Sequence, residues 1–250
     1  MKLVNHSIKQ IIKDPNFVQE IKLSILEKEL VIIKGAVKHQ FISKVLKYLK
    51  NEMKNSTPAY QPILKSSPNF YRVNFEDERS YVKGHFHQFN YFPWNKDHFC
   101  FFDEFKDIFS LKNLLNNLSP QEYMDGLHNN FIPKLSFQFY DSGKGYLQRH
   151  KDPIGDHQFV VPVLTMSKKG DDFKQGGLEM QIQDNWISVD DNLDIGDLVL
   201  MKGDTAHGVS KIDPSTKFEY FASGRWMGLF AINKVHESNK IANSQTIVET

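Results

Sequence analysis

From Lys134 onward the sequence falls into short runs of β-branched and aromatic residues, each closed by Gly, Asp or Pro. Strands are predicted near 134–140, 145–151, 158–166, 177–182, 186–189, 197–202, 207–211 and 218–231. Many short strands at this spacing point to an all-β sandwich or barrel of jelly-roll type. That pattern constrains the chain more than any other feature it carries.

The first half has a different texture. Val18, Ile21 and Ile25 recur at helical spacing and predict a helix over 16–28. The run Leu30 to Gly35 is β-branched and closed by glycine, so it reads as a buried strand. A second amphipathic helix follows, with Phe41, Val45, Leu46 and Leu49 on one stripe. Pro58, Pro62 and Pro68 make residues 56–70 an irregular crossing. Residues 71–102 are the most aromatic stretch. Helices are expected again from about 104 to 118, and once more after Ser119, where Glu122 gives the capping-box spacing. No linker separates the halves. The expectation is one α+β domain: a helical, aromatic-rich buttress over 1–130, a β core over 131–235 and a C-terminal tail over 236–250.

Composition excludes some functions. Lys and Arg number 31 against 30 Asp and Glu, a net charge of +1, so the basic excess that phosphate neutralisation favours is missing and no nucleic-acid partner is expected. The single cysteine, Cys100, excludes an intrachain disulfide, and its aromatic neighbours Phe99, Phe101 and Phe102 suggest a small buried hydrophobe. The start, Met1 to His6, lacks a signal-peptide apolar run, and no stretch reaches the roughly 20 apolar residues that cross a bilayer. A cytoplasmic chain with no membrane partner is expected.

The chemistry concentrates in His150-Lys151-Asp152. On a strand, residues i and i+2 share a face, so one imidazole and one carboxylate stand side by side. His207 is the candidate third ligand. It follows the apolar run Leu198 to Met201 and a Gly203-Asp204 turn. Two imidazoles and one carboxylate on one face of an iron leave three positions open, enough for a bidentate keto acid and dioxygen.

With these residues in view, the second half resembles the iron(II)/2-oxoglutarate-dependent dioxygenase superfamily. Tyr140 to Asp152 is similar to that family's Tyr/Gly-punctuated approach to its HxD motif, with one extra residue between Tyr146 and His150 relative to the prolyl-hydroxylase branch. Gly176-Gly177-Leu178-Glu179 looks like the family's Gly-Gly-x-Leu element, and Gly196 to Val209 resembles the strand and turn that deliver the distal histidine. The likeness covers roughly residues 134–231, and 28–50 more weakly. It implies a double-stranded β-helix core, cupin-like, with Fe(II) on His150, Asp152 and His207. It also implies 2-oxoglutarate and dioxygen as co-substrates, and hydroxylation of a C–H bond with succinate and carbon dioxide released. The balanced charge, separately, favours a small metabolite or amino-acid-like substrate. Because Asp152 is retained, halogenation is disfavoured.

The resemblance further implies a basic residue, on the strand after the distal histidine, that holds the far carboxylate of 2-oxoglutarate. Arg225 is that candidate, since its planar fork pairs bidentately with carboxylates. It stands further beyond His207 than the family places it, and the Asp213-Pro214-Ser215-Thr216 turn could absorb the excess. Lys211 and Lys217 are its rivals. Gln148, Gln138 and Tyr140 are open candidates for a second contact to the keto acid.

His85 and His87 form another same-face pair but lack a third ligand, so a structural role is favoured. His157 is expected to be solvated. Arg72 could clamp a substrate carboxylate, although a surface ion pair with Glu76 or Asp77 is the blander expectation. Tyr91, Phe92 and Trp94 read as core. Two other readings stay open: a cupin-type metal dioxygenase that does not use 2-oxoglutarate, and a non-catalytic jelly-roll binding module.

Overall fold

A computed structural model describes residues 1–59, 61–124, 126–155, 157–235 and 245–246. The expected tail is therefore outside the described residues except for 245–246. The N-terminal half contains β1 (Lys2–Val4), α1 (Ile8–Ile11), α2 (Pro15–Leu26), β2 (Val31–Ile33), α3 (His39–Asn55), β3 (Phe70–Phe75), β4 (Gly84–Tyr91), α4 (Phe101–Glu104) and α5 (Lys106–Leu115). There follow β5 (Phe131–Asp141), β6 (Tyr146–Lys151), β7 (Val160–Thr165), β8 (Gly177–Ile182) and β9 (Asn185–Ser188). After a 3-10 turn at Asp190–Asn192 come β10 (Leu198–Lys202), β11 (His207–Ser210), β12 (Gly224–Lys234) and β13 (Gln245–Thr246).

The strands run in the order β1-β2-β10-β7-β12-β5-β4-β6-β11-β8-β9, with β3 beside β4 and β13 beside β6. The sheet does not close. One cavity is nevertheless lined by Val163 of β7 and Met227 of β12, and by Leu178 of β8 and Val209 of β11. The sheet therefore folds over on itself into two facing layers, the jelly roll that the strand spacing predicted. β4 makes the join, pairing with β5 through His87–Tyr91 and with β6 through Gly84 and His85. At Gly84 a side-chain carbon would sit 2.9 Å from the Tyr146 carbonyl, so the close approach of β6 requires glycine.

Alternation along the strands divides two apolar cores. Leu198 and Leu200 of β10, and Trp226, Phe230 and Ile232 of β12, pack under the helices. Their alternates Val199, Met201 and Met227 face the interior. A layer covered on both faces reads as a near-continuous apolar run, which explains the texture of Leu198 to Met201. Helix α2 starts where Asp14 accepts the amides of Asn16 and Phe17, with Pro15 as its first residue. It buries Val18, Ile21 and Ile25, each worth roughly 1.5–3 kcal/mol. In α3 the buried stripe is Ile42, Val45, Leu49 and Met53, with Phe41 and Leu46 at its margin.

Several expectations need correction. Among the described residues after Ser119 the expected helix is not found: Glu122 N–H meets the Ser119 carbonyl, and Tyr123 then takes a left-handed φ of 66° that stops propagation. The Asn113 side chain instead holds the carbonyls of Pro120 and Glu122. The aromatic stretch contributes the β3–β4 hairpin as well as core, with Tyr71 stacked on Phe89 at 4.5 Å. Cys100 is exposed, at a left-handed φ of 52° before α4, while its aromatic neighbours turn inward. Among the described residues no helix is long and apolar enough to cross a membrane.

Lys112 of α5 is fully buried and donates to the Val160 carbonyl at 2.5 Å and to Gln158 at 3.2 Å. Burial lowers its ammonium from the ordinary 10.5 to about 7, with Asp152 opposing. Between those values the unfolded chain holds the proton more tightly, so stability falls as the pH drops through that window. Unfolding free energy is expected to rise by up to ~1.4 kcal/mol per pH unit between pH 7 and 9 through this one group. Lys112→Met should flatten the rise in urea titrations at both pH values, and an unchanged slope would contradict the assignment.

Candidate metal centre

His150 lies next to the end of β6 and Asp152 directly beyond it; His207 opens β11. The two strands are antiparallel neighbours, and His207 stands opposite His150 in register. Residues from distant parts of the chain thus meet through one ladder. Asp152 reaches both imidazoles: Oδ1 lies 3.7 Å from His150 Nε2, and Oδ2 lies 3.7 Å from His207 Nε2. The ring centroids are 4.3 Å apart.

Each imidazole is oriented from behind. His150 Nδ1–H donates to the Gln148 carbonyl and His207 Nδ1–H to the Thr205 carbonyl, both at 2.8 Å. These bonds fix the tautomer that leaves each Nε2 lone pair facing Asp152. Burial, with His207 beside it, pushes His150 down to about 4, so at neutral pH it is an uncharged electron-pair donor. Two donors each roughly 2.1 Å from one ion can stand at most ~4.2 Å apart, and the histidine–carboxylate separations satisfy this. Among the described residues, His150, Asp152 and His207 are the group able to hold a metal, their ligand atoms all within 4.8 Å. The donor set fits a divalent first-row ion with open positions.

The centre opens into a cavity of about 340 Å³. Its inner end is walled by Tyr140, Leu178, Val163 and Met227. Tyr140 donates to Gln138 Oε1 at 2.5 Å, and both line the cavity. Arg225 lies opposite Tyr140 in the β12–β5 ladder, on the face that carries Met227 and Leu229. It is buried and paired bidentately with Asp190, Nε to Oδ2 at 2.6 Å and Nη2 to Oδ1 at 3.0 Å. Its Nη1 has no hydrogen-bond partner. Asp190 also accepts the Leu178 amide at 2.7 Å. Gly177, at φ 112°, makes this possible, since a side-chain carbon there would lie 2.2 Å from Asp190 Oδ2. Lys211 and Lys217 are exposed on the outside.

Other candidates fall elsewhere. Tyr71 donates to His87 Nδ1 at 2.6 Å, and His87 Nε2–H donates to Asp141 at 2.9 Å, all buried. His85 stacks on Phe75 at 3.8 Å. Neither histidine belongs to the metal-binding group. His157 is half-buried against Phe131, 4.3 Å between rings, rather than solvated. Arg72 points into the cavity and donates to Gln88 at 2.6 Å; Asp77 is held instead by Arg79. The sequence reading missed Asp190, Lys134, Gln88 and Asn90, although the alternation Tyr71-Arg72-Val73-Asn74 offered a strand signal.

No family model and no curated protein matches the sequence. Solved structures do match. A Pseudomonas putida prolyl-4-hydroxylase is 14% identical, covers 87% of this chain and 98% of its own, and superposes with a TM-score of 0.55. The chain has the jelly-roll fold of the 2OG-Fe(II) oxygenases. A full-length Neurospora crassa protein, solved in complex with alpha-KG and thymine, is 11% identical over 95% of this chain and 87% of its own, TM-score 0.56. A Trichoplax adhaerens prolyl hydroxylase, in complex with a hypoxia inducible factor peptide fragment, is 13% identical over 92% and 94%, TM-score 0.55. At such identities the likeness is one of fold.

Proposed function

We propose that this chain is an Fe(II)/2-oxoglutarate-dependent oxygenase that hydroxylates a C–H bond of a small molecule. The observation that carries the reading is the convergence of two Nε2 lone pairs on Asp152, each imidazole locked from behind by a backbone carbonyl. Bound Fe(II) would supply the activation of dioxygen, coupled to oxidation of 2-oxoglutarate to succinate and carbon dioxide.

The protein's own part is to bind, orient and exclude water. His150, Asp152 and His207 would hold the ion from one side. Arg225, with a buried Nη1 that lacks a partner, is assigned to the far carboxylate of 2-oxoglutarate. Tyr140, with Gln138 behind its hydroxyl, supplies the polar edge of the same end. Val163, Leu178 and Met227 keep that end dry, which strengthens every charge interaction inside it. One fold neighbour, bound to alpha-KG and thymine, supports the reading; another is bound to a peptide.

A second reading is favoured by one observation. Asp190 already neutralises Arg225, as a metal oxygenase that does not use 2-oxoglutarate would allow. Succinate release separates the two. The purified chain, given Fe(II), 2-oxoglutarate and oxygen, is expected to release succinate, to stop when the metal is chelated, and to slow when Arg225 becomes Met. Iron-dependent oxygen consumption with no succinate would support the second reading, and no iron binding would sink both.

A further inference from the structure

The outer part of the cavity has a wall that the co-substrate does not need. Arg72 of β3, Gln88 of β4 and Gln138 of β5 stand in one cross-strand row, and Asn90 and Ser136 in the next. A hydrogen-bond relay runs through them. Arg72 Nε donates to Gln88 Oε1 at 2.6 Å, Gln88 Nε2 to Ser136 Oγ at 3.3 Å, and Ser136 Oγ to Asn90 Oδ1 at 2.6 Å. Its direction leaves Asn90 Nδ2 as the free end, buried and without a partner. Asn90 is 2% exposed and lines the cavity. Lys134 lies on the same face of β5, two residues before Ser136, and also lines the cavity. Its ammonium makes no hydrogen bond or ion pair among the described residues. Burial, with Arg72 nearby, lowers it to about 7, while Asp152 opposes.

The guanidinium of Arg72, the Asn90 amide and the Lys134 ammonium are all donors, two of them cationic. Two cations facing one cavity repel each other, and an anion received between them relieves that cost. 2-Oxoglutarate cannot serve both ends of the cavity. Lys134 and Tyr140 lie on the same face, six residues apart along β5, or ~20 Å, and a five-carbon diacid spans less than half of that. We propose that Lys134, Arg72 and Asn90 anchor a carboxylate or phosphate group of the molecule to be oxidised. The substrate is then an anion, held apart from the co-substrate at the other end of the cavity. Calling it the substrate rests on the oxygenase reading above. Asn233 adds a buried Oδ1 acceptor with no partner on the same cavity wall, so the anion also carries an N–H or O–H.

The test is calorimetric titration of the metal-free full-length chain at pH 7. The probes are N-acetylglycine, its neutral amide, and inorganic phosphate. The wild type is expected to bind one of the two anions at least about tenfold more tightly than the amide, the scale of a charge-assisted hydrogen bond. Whichever anion binds names the group. Lys134→Met should remove the preference and Asn90→Ala should weaken it, while Arg225→Met keeps it. Lys134→Met takes a charge off the cavity wall, and unfolding midpoints establish that all three variants remain folded, Arg225→Met included, where Asp190 loses its partner. An amide bound as well as both anions overturns the proposal, as does a preference that survives Lys134→Met or disappears only in Arg225→Met. Because no metal is present, failure here is distinct from failure to bind iron or release succinate.

Discussion

Replacing Asp152 by alanine is expected to abolish iron loading while leaving the fold in place. The carboxylate is the only anionic donor in the group and lies within 3.7 Å of both imidazoles. Without it, two neutral nitrogens remain to hold a divalent ion. Changing residues that merely support a ligand costs about 10–100-fold in metal affinity, so loss of a ligand should cost at least about 100-fold. Stability should respond differently. Asp152 lies beyond the end of β6, its side chain is 17% exposed, and its amide bond to the Gly203 carbonyl survives the substitution. Competition against a coloured chelator at pH 7, with a parallel urea titration, checks both halves. Wild-type affinity in Asp152→Ala would remove the metal assignment, and with it the proposed chemistry. His207→Ala should reproduce the loss from the other strand.

This centre was legible because it needs only local information. An HxD at the end of a strand places two donors by alternation alone, and the apolar run before His207 marks the strand that brings the third. The strands of the second half were visible for a similar reason: glycine and aspartate punctuate them, and the run predicted at 177–182 is β8. The sequence could not show which strands would be neighbours. That β4 from the first half sits between β5 and β6 follows from packing, and its polar positions Gln88 and Asn90 face a cavity rather than solvent. Polar alternation in a strand is ordinarily read as a solvated face, so the wall built on Arg72, Asn90 and Lys134 had no signature of its own. The capping-box spacing at Ser119 failed because Tyr123 leaves the helical region one residue later. Arg225 could be picked out as a cation on the strand that follows the one carrying His207, but Asp190, thirty-five residues earlier, is tied to it only by the fold.

Asp190→Ala is expected to lower the unfolding free energy by roughly 3–5 kcal/mol, the cost of leaving a buried charge without its partner. The Arg225 side chain is 1% exposed and that of Asp190 3% exposed, so water replaces little of what is lost. The same substitution strips the Leu178 amide of its acceptor. The damage should be largely undone in the double variant Asp190→Ala, Arg225→Met, because exchanging both members of a buried pair for apolar groups is often neutral or better. Urea denaturation of the wild type, the single and the double variant measures the cycle, and a double variant no more stable than the single one contradicts it. The pair also connects stability to the proposed co-substrate. In Asp190→Ala the guanidinium lacks its counter-charge, and a ligand carboxylate delivered to Arg225 restores it. Millimolar 2-oxoglutarate should therefore raise the unfolding midpoint of Asp190→Ala more than that of the wild type, by mass action on the folded state. It should move the double variant no more than the wild type, since Arg225 is no longer there to receive the acid. Equal shifts in all three would place 2-oxoglutarate away from Arg225, and the anchor of its far carboxylate would have to be sought elsewhere along the cavity.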